Sequence, residues 1–252
     1  MVMSEVVIDF LIPKHLPLPS GMIAGFSTRK GGISGAQFES LNLGYSVGDE
    51  PDHVAENRRK FFHQFNVVEA ELAIPHQTHS ANIAMVQSPG KFVNTDALIT
   101  HESDIFLTVQ TADCLPILIW TIDGEWMAAI HSGWRGTEQG IVNDTLALLL
   151  SASGYDTSEY FVWIGPGLGS CHFEVGQEFE SKFDSKYLSR RAGKIYFDNL
   201  RAVTDQIERF GISSENIETV ADCTFCNRDN YFSHRRDAGI TGRMMAIIGR
   251  RK

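Results

Sequence analysis

Three residues near the ends of strand-like runs, His79, Cys114 and His131, have side chains that can bind borderline metal ions. Cys114 precedes the apolar run Leu115–Trp120, and His131 follows the apolar run Trp126–Ile130. Zinc prefers thiolate and imidazole ligands, and three protein ligands leave a fourth position open for water or substrate. The same donors also suit copper. Without a metal, Cys114 beside a histidine would resemble a nucleophile–base pair.

A hairpin between these two runs would bring two of the three residues together. Asp123 and Gly124 lie between the runs and are typical of a tight turn. Antiparallel pairing places the beginning of one strand beside the end of the next, so we expect Cys114 and His131 to be neighbours. Asp113 adjoins the cysteine. Two roles are open for Asp113: it is either a turn residue that caps the strand, or a carboxylate that orients a ligand or transfers protons.

The elements that must position these residues follow from hydrophobic periodicity. The predicted strands are Ile105–Val109, Leu115–Trp120, Trp126–Ile130, Tyr160–Ile164 and Met244–Ile248. The predicted helices are Pro51–Phe65, Thr137–Ser151 and Asp198–Phe210, with Asp198 as N-cap and Gly211 as C-terminal stop. Strands that outnumber helices, with a hairpin among them, indicate an α+β fold with a mixed sheet.

Composition and charge restrict the possible partners and location. The sequence has 252 residues without repeats or linker-like segments, which predicts a single domain over residues 1–252. The net charge of −9 argues against a broad nucleic-acid surface, although local arginines, such as Arg235, Arg236 and Arg243 near the C-terminus, suit a small anion. No apolar run approaches the roughly 18 residues that would indicate a membrane span. Met1–Phe10 has no basic start before an apolar stretch, so we expect no signal peptide and a cytoplasmic location.

The four cysteines are expected to stay reduced in the cytoplasm. Cys223 and Cys226 form an isolated CxxC pair, which cannot by itself complete a four-ligand zinc site. Zinc-dependent base deaminases carry a proline before the first cysteine of such a pair, whereas Asp222 stands there in this chain. We therefore predict a local, structural role for this pair.

A series of motifs in a fixed order resembles the bacterial laccase-domain family, long called multicopper polyphenol oxidases. The resemblance extends from about Gly25 to Arg250. The matching motifs are Phe26–Ser34, Leu41–Gly44, Glu56–Arg58, Gln77–His79, Ala112–Cys114, His131–Gly136, Ile164–Pro166, Phe173–Gly176 and Phe232–Arg236. The stretch His131-Ser-Gly-Trp-Arg-Gly136 and the ordered set are specific, whereas each shorter motif alone is not.

The resemblance implies a three-layer α/β/α domain with a mixed sheet, similar to cytotoxin-type cysteine hydrolases. It implies zinc-dependent purine nucleoside phosphorolysis of adenosine, inosine or methylthioadenosine, together with adenosine deamination. A small-molecule nucleoside and phosphate would then be its partners. The implied residues are the metal ligands His79, Cys114 and His131, the catalytic residues Cys114, Asp113 and His131, and the substrate-binding residues Asn42, Arg58 and Arg135. His76 is a neighbour of this set, and His234 has no inherited role.

Other functions stay open at this point. Cys114 and His131 would also suit a cysteine hydrolase that acts on a cell-wall precursor or an amide. Copper-dependent phenol oxidation agrees less well, because nine histidines without a single His-x-His pair favour one mononuclear site over copper clusters. A binding protein with a vestigial site is the non-enzymatic alternative. The oligomeric state is left open.

Overall fold

A computed structural model describes residues 8–252. The prediction that Met1–Phe10 lacks a signal peptide falls mostly outside these residues. The strands are β1 (Phe10–Leu11), β2 (Met22–Ser27), β3 (Leu72–Pro75), β4 (Ile83–Met85), β5 (Gly90–Phe92), β6 (Ala97–Thr100), β7 (Phe106–Thr111), β8 (Leu115–Thr121), β9 (Met127–Ser132), β10 (Tyr160–Ile164), β11 (Glu174–Val175), β12 (Leu188–Arg191), β13 (Lys194–Phe197), β14 (Ile217–Thr219) and β15 (Met244–Arg250). The α-helices are α1 (Pro51–His63), α2 (Trp134–Gln139), α3 (Ile141–Ser153) and α4 (Asn199–Phe210).

The strands form two mixed six-stranded sheets and a small antiparallel one. The first sheet has the order β1-β2-β15-β7-β3-β5, with parallel pairing only at β7-β3 and β3-β5. The second has the order β14-β10-β8-β9-β6-β4, with parallel pairing only at its two edges. The third, β11-β13-β12, is antiparallel. The predicted α+β class with mixed pairing is therefore confirmed.

Side-chain alternation along β8 shows how the two large sheets pack. Leu118 and Trp120 join a core cluster that contains residues of both sheets. Ile117 and Ile119, on the opposite face, pack with residues of α3 and α4. Because successive residues of a strand point to opposite faces, the second sheet has one face against the first sheet and the other against helices.

The first sheet is covered in the same way. Along β15, Ala246 belongs to the core between the sheets, whereas Met245 and Ile247 pack with Phe61 and Phe62 of α1. The layers are thus helix, sheet, sheet and helix. The expected three-layer α/β/α arrangement with one sheet was wrong in the number of sheets. A strand that is buried on both faces has the same apolar sequence pattern whether a helix or a second sheet covers it, so the pattern does not reveal the number of sheets.

The predicted central elements are present, with small shifts at their ends. Tyr160–Ile164 is found as predicted, and the other four predicted strands extend one or two residues further toward the C-terminus. Asp198 caps α4 by accepting a hydrogen bond from the backbone N–H of Arg201, and Gly211 ends the helix with φ = 113°. The single helix predicted over Thr137–Ser151 is divided into α2 and α3, because Gly140 has φ = 81° in the left-handed region.

None of the helices within residues 8–252 combines the length and the hydropathy that a membrane span requires. The cytoplasmic location stays a prediction.

Truncation of Leu118 tests the core between the sheets. Leu118 is fully buried there, so Leu118→Ala removes apolar contacts and leaves a cavity. We expect the free energy of unfolding in urea to fall by about 2–5 kcal/mol. The matched control is Leu148→Ala on α3, where the side chain is 45% exposed, and this change is expected to cost less than about 0.5 kcal/mol. Equal losses in the two variants would contradict the packing described.

Candidate functional site

The β8–β9 hairpin brings Cys114 and His131 together, as predicted. Pro116 pairs with His131 across the hairpin, and Cys114 lies two residues before Pro116 on the same face. His79 joins them from the loop after β3, with its ring centroid 4.9 Å from that of His131. The potential ligand atoms of the three residues all lie within 4.8 Å of one another. This group can therefore hold one metal ion.

The loop that carries His79 is attached to the sheet by side chains. The Gln77 amide pairs with the backbone of Gln110 at the end of β7: its Nε2 donates to the carbonyl at 2.7 Å, and its Oε1 accepts from the N–H at 2.8 Å. Thr78 Oγ1 donates to Asn94 at 2.7 Å. His79 itself has φ = 59°. These contacts explain the Gln-Thr-His motif, because its first two residues hold the backbone that presents the third.

Asp96 contacts two of the three potential metal ligands, His79 and His131. It is fully buried immediately before β6, and its Oδ1 lies 2.8 Å from His131 Nδ1. The same carboxylate accepts hydrogen bonds from the backbone N–H groups of Thr78, His79 and Ser80. A carboxylate on Nδ1 holds the histidine in one orientation and leaves Nε2 for the metal. Asp96 thus fixes both the His79 loop and the His131 ring.

The charges of Asp96, Cys114 and His131 stabilise one another. Burial opposes ionisation of Asp96, but hydrogen bonds from His131 and Ser80 hold the pKa of the carboxyl well below its usual range. Burial also opposes the Cys114 thiolate, yet its interactions with His131 and His79 lower the thiol pKa to about 6. Against burial, Cys114 and Asp96 raise the pKa of His131 to about 9. Without a metal, the pair is a thiolate beside an imidazolium near neutral pH.

Gly133 provides the room that these side chains need. A Cβ at this position would lie 2.9 Å from Cys114 Sγ and 3.1 Å from His79 Cδ2. A substituted residue would therefore displace two of the three potential ligands. This contact gives a physical reason for the glycine that follows His131-Ser132.

The group opens into a cavity of about 570 Å³ that is lined by both apolar and cationic side chains. That volume lies within the usual range of small-molecule sites, roughly 300–1,000 Å³. Three arginines line it: Arg135, Arg235 and Arg243. Gly44 makes space for Arg243, because a Cβ there would lie 2.8 Å from Arg243 Cγ. The cavity can therefore receive an anionic ligand beside the metal-binding group, despite the negative net charge.

Asp113 lines the same cavity, but both of its carboxylate oxygens are engaged. Oδ1 accepts from Thr224 Oγ1 at 2.6 Å, and Oδ2 accepts from the backbone N–H of Arg235 at 2.6 Å. The residue has φ = 89°. These two contacts position neighbouring chain segments, and the predicted roles of Asp113 as a strand cap or as a carboxylate that orients a ligand or transfers protons stay predictions.

Two residues predicted to bind substrate lie outside the cavity lining. Asn42 is fully buried, and its Oδ1 accepts from the backbone N–H groups of Gly44 and Arg243. Arg58 is 2% exposed and forms an ion pair with Glu69 at 3.1 Å. In this structure Asn42 supports the segment that carries Arg243, and Arg58 forms its ion pair within the fold. Their substrate-binding roles stay predictions. Arg135 lines the cavity, as expected of a substrate-binding residue.

One buried residue of the site was not identified from the sequence. Asp96 is an isolated charged residue directly before β6, where only pairing across the sheet reveals its role. Arg243, one of the arginines expected to suit a small anion, lines the cavity. An acidic residue directly before a largely apolar strand was the one available signal for Asp96, because a buried carboxylate needs partners. His76 and His234, whose roles were left open, both line the cavity.

Comparison with known proteins agrees with this geometry. Residues 23–251 match a family model described as multi-copper polyphenol oxidoreductase laccase. A protein of Shigella flexneri named purine nucleoside phosphorylase YfiH is 33% identical over 243 residues, which cover 94% of this chain and 98% of the relative. A purine nucleoside phosphorylase of Bacteroides thetaiotaomicron is 34% identical, and the match covers 88% of this chain and 89% of the relative.

Solved structures have the same fold. The crystal structure of YlmD from Geobacillus stearothermophilus superposes with a TM-score of 0.87 at 30% identity, covering 92% of this chain and 93% of that chain. The protein NMB0706 of Neisseria meningitidis gives a TM-score of 0.85 at 29% identity, covering 99% of this chain and 100% of that chain. The expected similarity to cytotoxin-type cysteine hydrolases has no counterpart in these matches.

Alkylation of metal-stripped protein tests the charge state of Cys114. The thiolate is the reactive form, so the alkylation rate rises with pH through the thiol pKa. With that pKa lowered to about 6, we expect the rate to be half-maximal near pH 6, as followed by iodoacetamide labelling and peptide mass analysis. Cys171 is an internal control, since burial and neighbouring thiols raise its pKa to about 12. A midpoint for Cys114 near about 8.5, the value of a free cysteine, would contradict the pairing.

Asp96→Asn tests the carboxylate beneath the ligands. The variant removes the charge that orients His131, and we expect the affinity for Zn²⁺ to fall by about 10–100-fold. The measurement is the free Zn²⁺ concentration that protects Cys114 from alkylation. Asp144→Asn, an exposed position on α3, is the matched control. Ser80→Ala removes one hydroxyl donor to Asp96 and serves if Asp96→Asn does not fold. Unchanged protection in both site variants would show that Asp96 does not support the ligands.

Proposed function

The chain belongs to the multi-copper polyphenol oxidoreductase laccase family, and we propose that it is a purine nucleoside phosphorylase. The observation that carries the proposal is that a His₂Cys donor set and three arginines share one cavity. Relatives that match almost the full chain carry the name purine nucleoside phosphorylase. We also propose one domain, since the family match spans residues 23–251 and both large sheets share a core.

Zinc is the metal we assign to His79, Cys114 and His131. One thiolate and two imidazoles suit zinc, and a set of three donors beside a cavity leaves a coordination position free. The imidazole of His131 is already oriented by Asp96. When bound, a zinc ion at such a site supplies Lewis-acid activation of a water molecule or of a substrate oxygen. The three donors are sufficient for one ion, which agrees better with a mononuclear site than with the several copper ions of the family name.

Arg243 is the residue we assign to phosphate. Its Nη1 donates to the carbonyls of Thr241 and Gly242 at 3.0 Å. Those bonds hold the guanidinium in place. Within residues 8–252, only the Nη1 nitrogen of the Arg243 guanidinium forms hydrogen bonds, so the donors at Nε and Nη2 remain for a ligand. Arginine is always charged and its planar fork matches two phosphate oxygens. Arg135, over the Trp134 ring at 4.3 Å, supplies a second cation at the exposed side of the cavity.

The purine nucleoside would lie against the apolar part of the cavity, where Trp134, Leu168 and Phe173 line the wall. In phosphorolysis, a phosphate oxygen bonds to C1′ of the ribose as the C1′–N9 bond breaks. The electron pair stays with N9 of the purine, which then gains a proton. Because the phosphate approaches as an anion, arginines fixed before substrate arrives stabilise it without reorganisation. Asp113 contributes by holding the backbone of Arg235 at the cavity wall.

Adenosine deamination is the second activity that we propose for this cavity. The specific support is the donor set of three residues with one side open to the cavity. Water would replace the exocyclic amine at C6 of the purine, with a C–O bond formed, a C–N bond broken and ammonia released. This activity needs no phosphate, so it is separable from phosphorolysis in the same assay.

A cysteine hydrolase is the alternative that the paired Cys114 and His131 would support. The two functions differ in their need for metal. A hydrolase would keep its activity after zinc is removed and lose it in Cys114→Ala. A phosphorylase of the kind proposed would lose activity in both cases. Stoichiometric copper together with oxygen uptake on phenols would instead support the copper oxidase.

Phosphate-dependent release of hypoxanthine from inosine tests the proposed function. We expect release by the wild-type protein and none by Cys114→Ala. In Arg243→Ala, the KM for phosphate is expected to rise roughly tenfold or more, because a hydrogen bond to a charged group contributes about 1.5–3 kcal/mol. Arg59→Ala is the matched control, since Arg59 is exposed on α1 and pairs with Glu56. Absence of base release from both inosine and adenosine in zinc-loaded protein would overturn the proposal.

A further inference from the structure

A second cluster of soft donors lies outside the group formed by His79, Cys114 and His131. It consists of Cys171, His172, Cys223 and Cys226, whose potential ligand atoms all lie within 4.8 Å of one another. Cys171 Sγ is 3.6 Å from Cys226 Sγ, and His172 Nδ1 is 3.3 Å from the first sulfur and 3.2 Å from the second. Around a tetrahedral zinc ion with Zn–S bonds of about 2.3 Å, two sulfurs are roughly 3.8 Å apart. The observed spacing is close to that value.

The backbone around the cluster leaves space for sulfur and directs donors toward it. A Cβ on Gly169 would lie 3.1 Å from Cys223 Cβ and 3.2 Å from Cys171 Sγ. The backbone N–H of Gly169 donates to Cys223 Sγ at 3.3 Å. The His172 ring stacks on Phe225 with 4.0 Å between centroids, which fixes its orientation. Such supporting contacts hold metal ligands in place.

We propose that Cys171, His172, Cys223 and Cys226 bind a structural Zn²⁺ ion. Three thiolates and one imidazole make a complete set of four ligands, which is the closed coordination of structural zinc sites. The CxxC pair, which cannot form such a site alone, is completed by two adjacent residues from a loop more than 50 positions earlier in the chain. This site uses none of the donors of the site in the main cavity, so the two proposals are tested independently.

A catalytic role for the cluster agrees less well with the structure. The sequence His172-Phe173-Glu174 followed by Cys223-x-x-Cys226 resembles the ligand pattern of zinc-dependent base deaminases, in which the glutamate moves protons. Here Cys171 fills the fourth position, which water occupies in a deaminase. Glu174 pairs instead with Lys194 at 2.8 Å. The cluster therefore has neither an open position nor a free glutamate.

The position of the cluster explains what a metal would do there. Its two loops carry Leu168 and Phe173 on one side and lead to Arg235 on the other, and all three residues line the main cavity. Between them, Thr224 donates from its N–H to the Gly167 carbonyl at 2.9 Å. Zinc would fasten these loops to each other and so fix one wall of the cavity.

The proposal is tested by measuring the metal content of the protein. The protein is purified under reducing conditions from cells grown with zinc in the medium. By plasma mass spectrometry we expect two Zn²⁺ per chain in the wild type and one each in Cys226→Ser and Cys114→Ser. The double variant is expected to hold none. His63→Gln, which removes an exposed histidine of α1, is the control and keeps two. If Cys226→Ser does not fold, Cys114→Ser still decides the question, because it leaves the second cluster intact.

The cysteine set also predicts a spectroscopic signature. Cys114→Ser reconstituted with Co²⁺ is expected to show strong near-ultraviolet thiolate-to-cobalt charge transfer with tetrahedral visible bands, from the three remaining thiols. Cys114→Ser protein without metal would overturn the proposal. So would a Cys171–Cys226 disulfide in the reduced preparation, detected by peptide mapping, or iron with sulfide in place of zinc. A wild-type protein that holds two zinc ions per chain but shows no phosphorolysis would support this second zinc site and refute only the proposed function.

Discussion

The contact between Asp96 and His131 is the interaction on which the site depends. The two residues are joined twice, because the backbone N–H of His131 also donates to the Asp96 carbonyl at 2.8 Å. A buried carboxylate is costly unless its hydrogen-bonding capacity is filled. Here the imidazole and the N–H groups of the 78–80 loop fill it. Satisfying one buried charge therefore requires β9, the start of β6 and the His79 loop to meet in a single arrangement, and that arrangement brings the donors together.

The same fold allows a cationic cavity in an acidic protein. The chain has a net charge of −9, yet Arg135, Arg235 and Arg243 converge on one cavity. Arg58 shows the contrast, since an equally basic residue is used within the fold through its ion pair with Glu69. The role of a positive residue in this protein follows from where the fold places its side chain, in the cavity wall or against another part of the chain. Charge counts along the sequence carry no information on that placement.

Much of the architecture near the site follows from local sequence patterns. The β8–β9 hairpin was predictable because Asp123-Gly124 separates two apolar runs, and antiparallel pairing then makes Cys114 and His131 neighbours. The caps of α4 were equally local, since Asp198 and Gly211 act on their own helix. The number of sheets was not predictable, because Leu118 and Ile119 are equally buried although one faces a sheet and the other faces helices.

The sequence by itself determined the donor types, the hairpin and, through its ordered motifs, the family. Each of these depends on residues near one another in the chain or on a recognisable series of such residues. Tertiary structure alone decided that Asp96 lies under His131, that Arg243 rather than Arg58 lines the cavity, and that Cys171 and His172 meet the CxxC pair. These contacts join segments that are tens of residues apart. Their partners are selected by sheet pairing and by the burial of polar groups, and no local spacing encodes either of these.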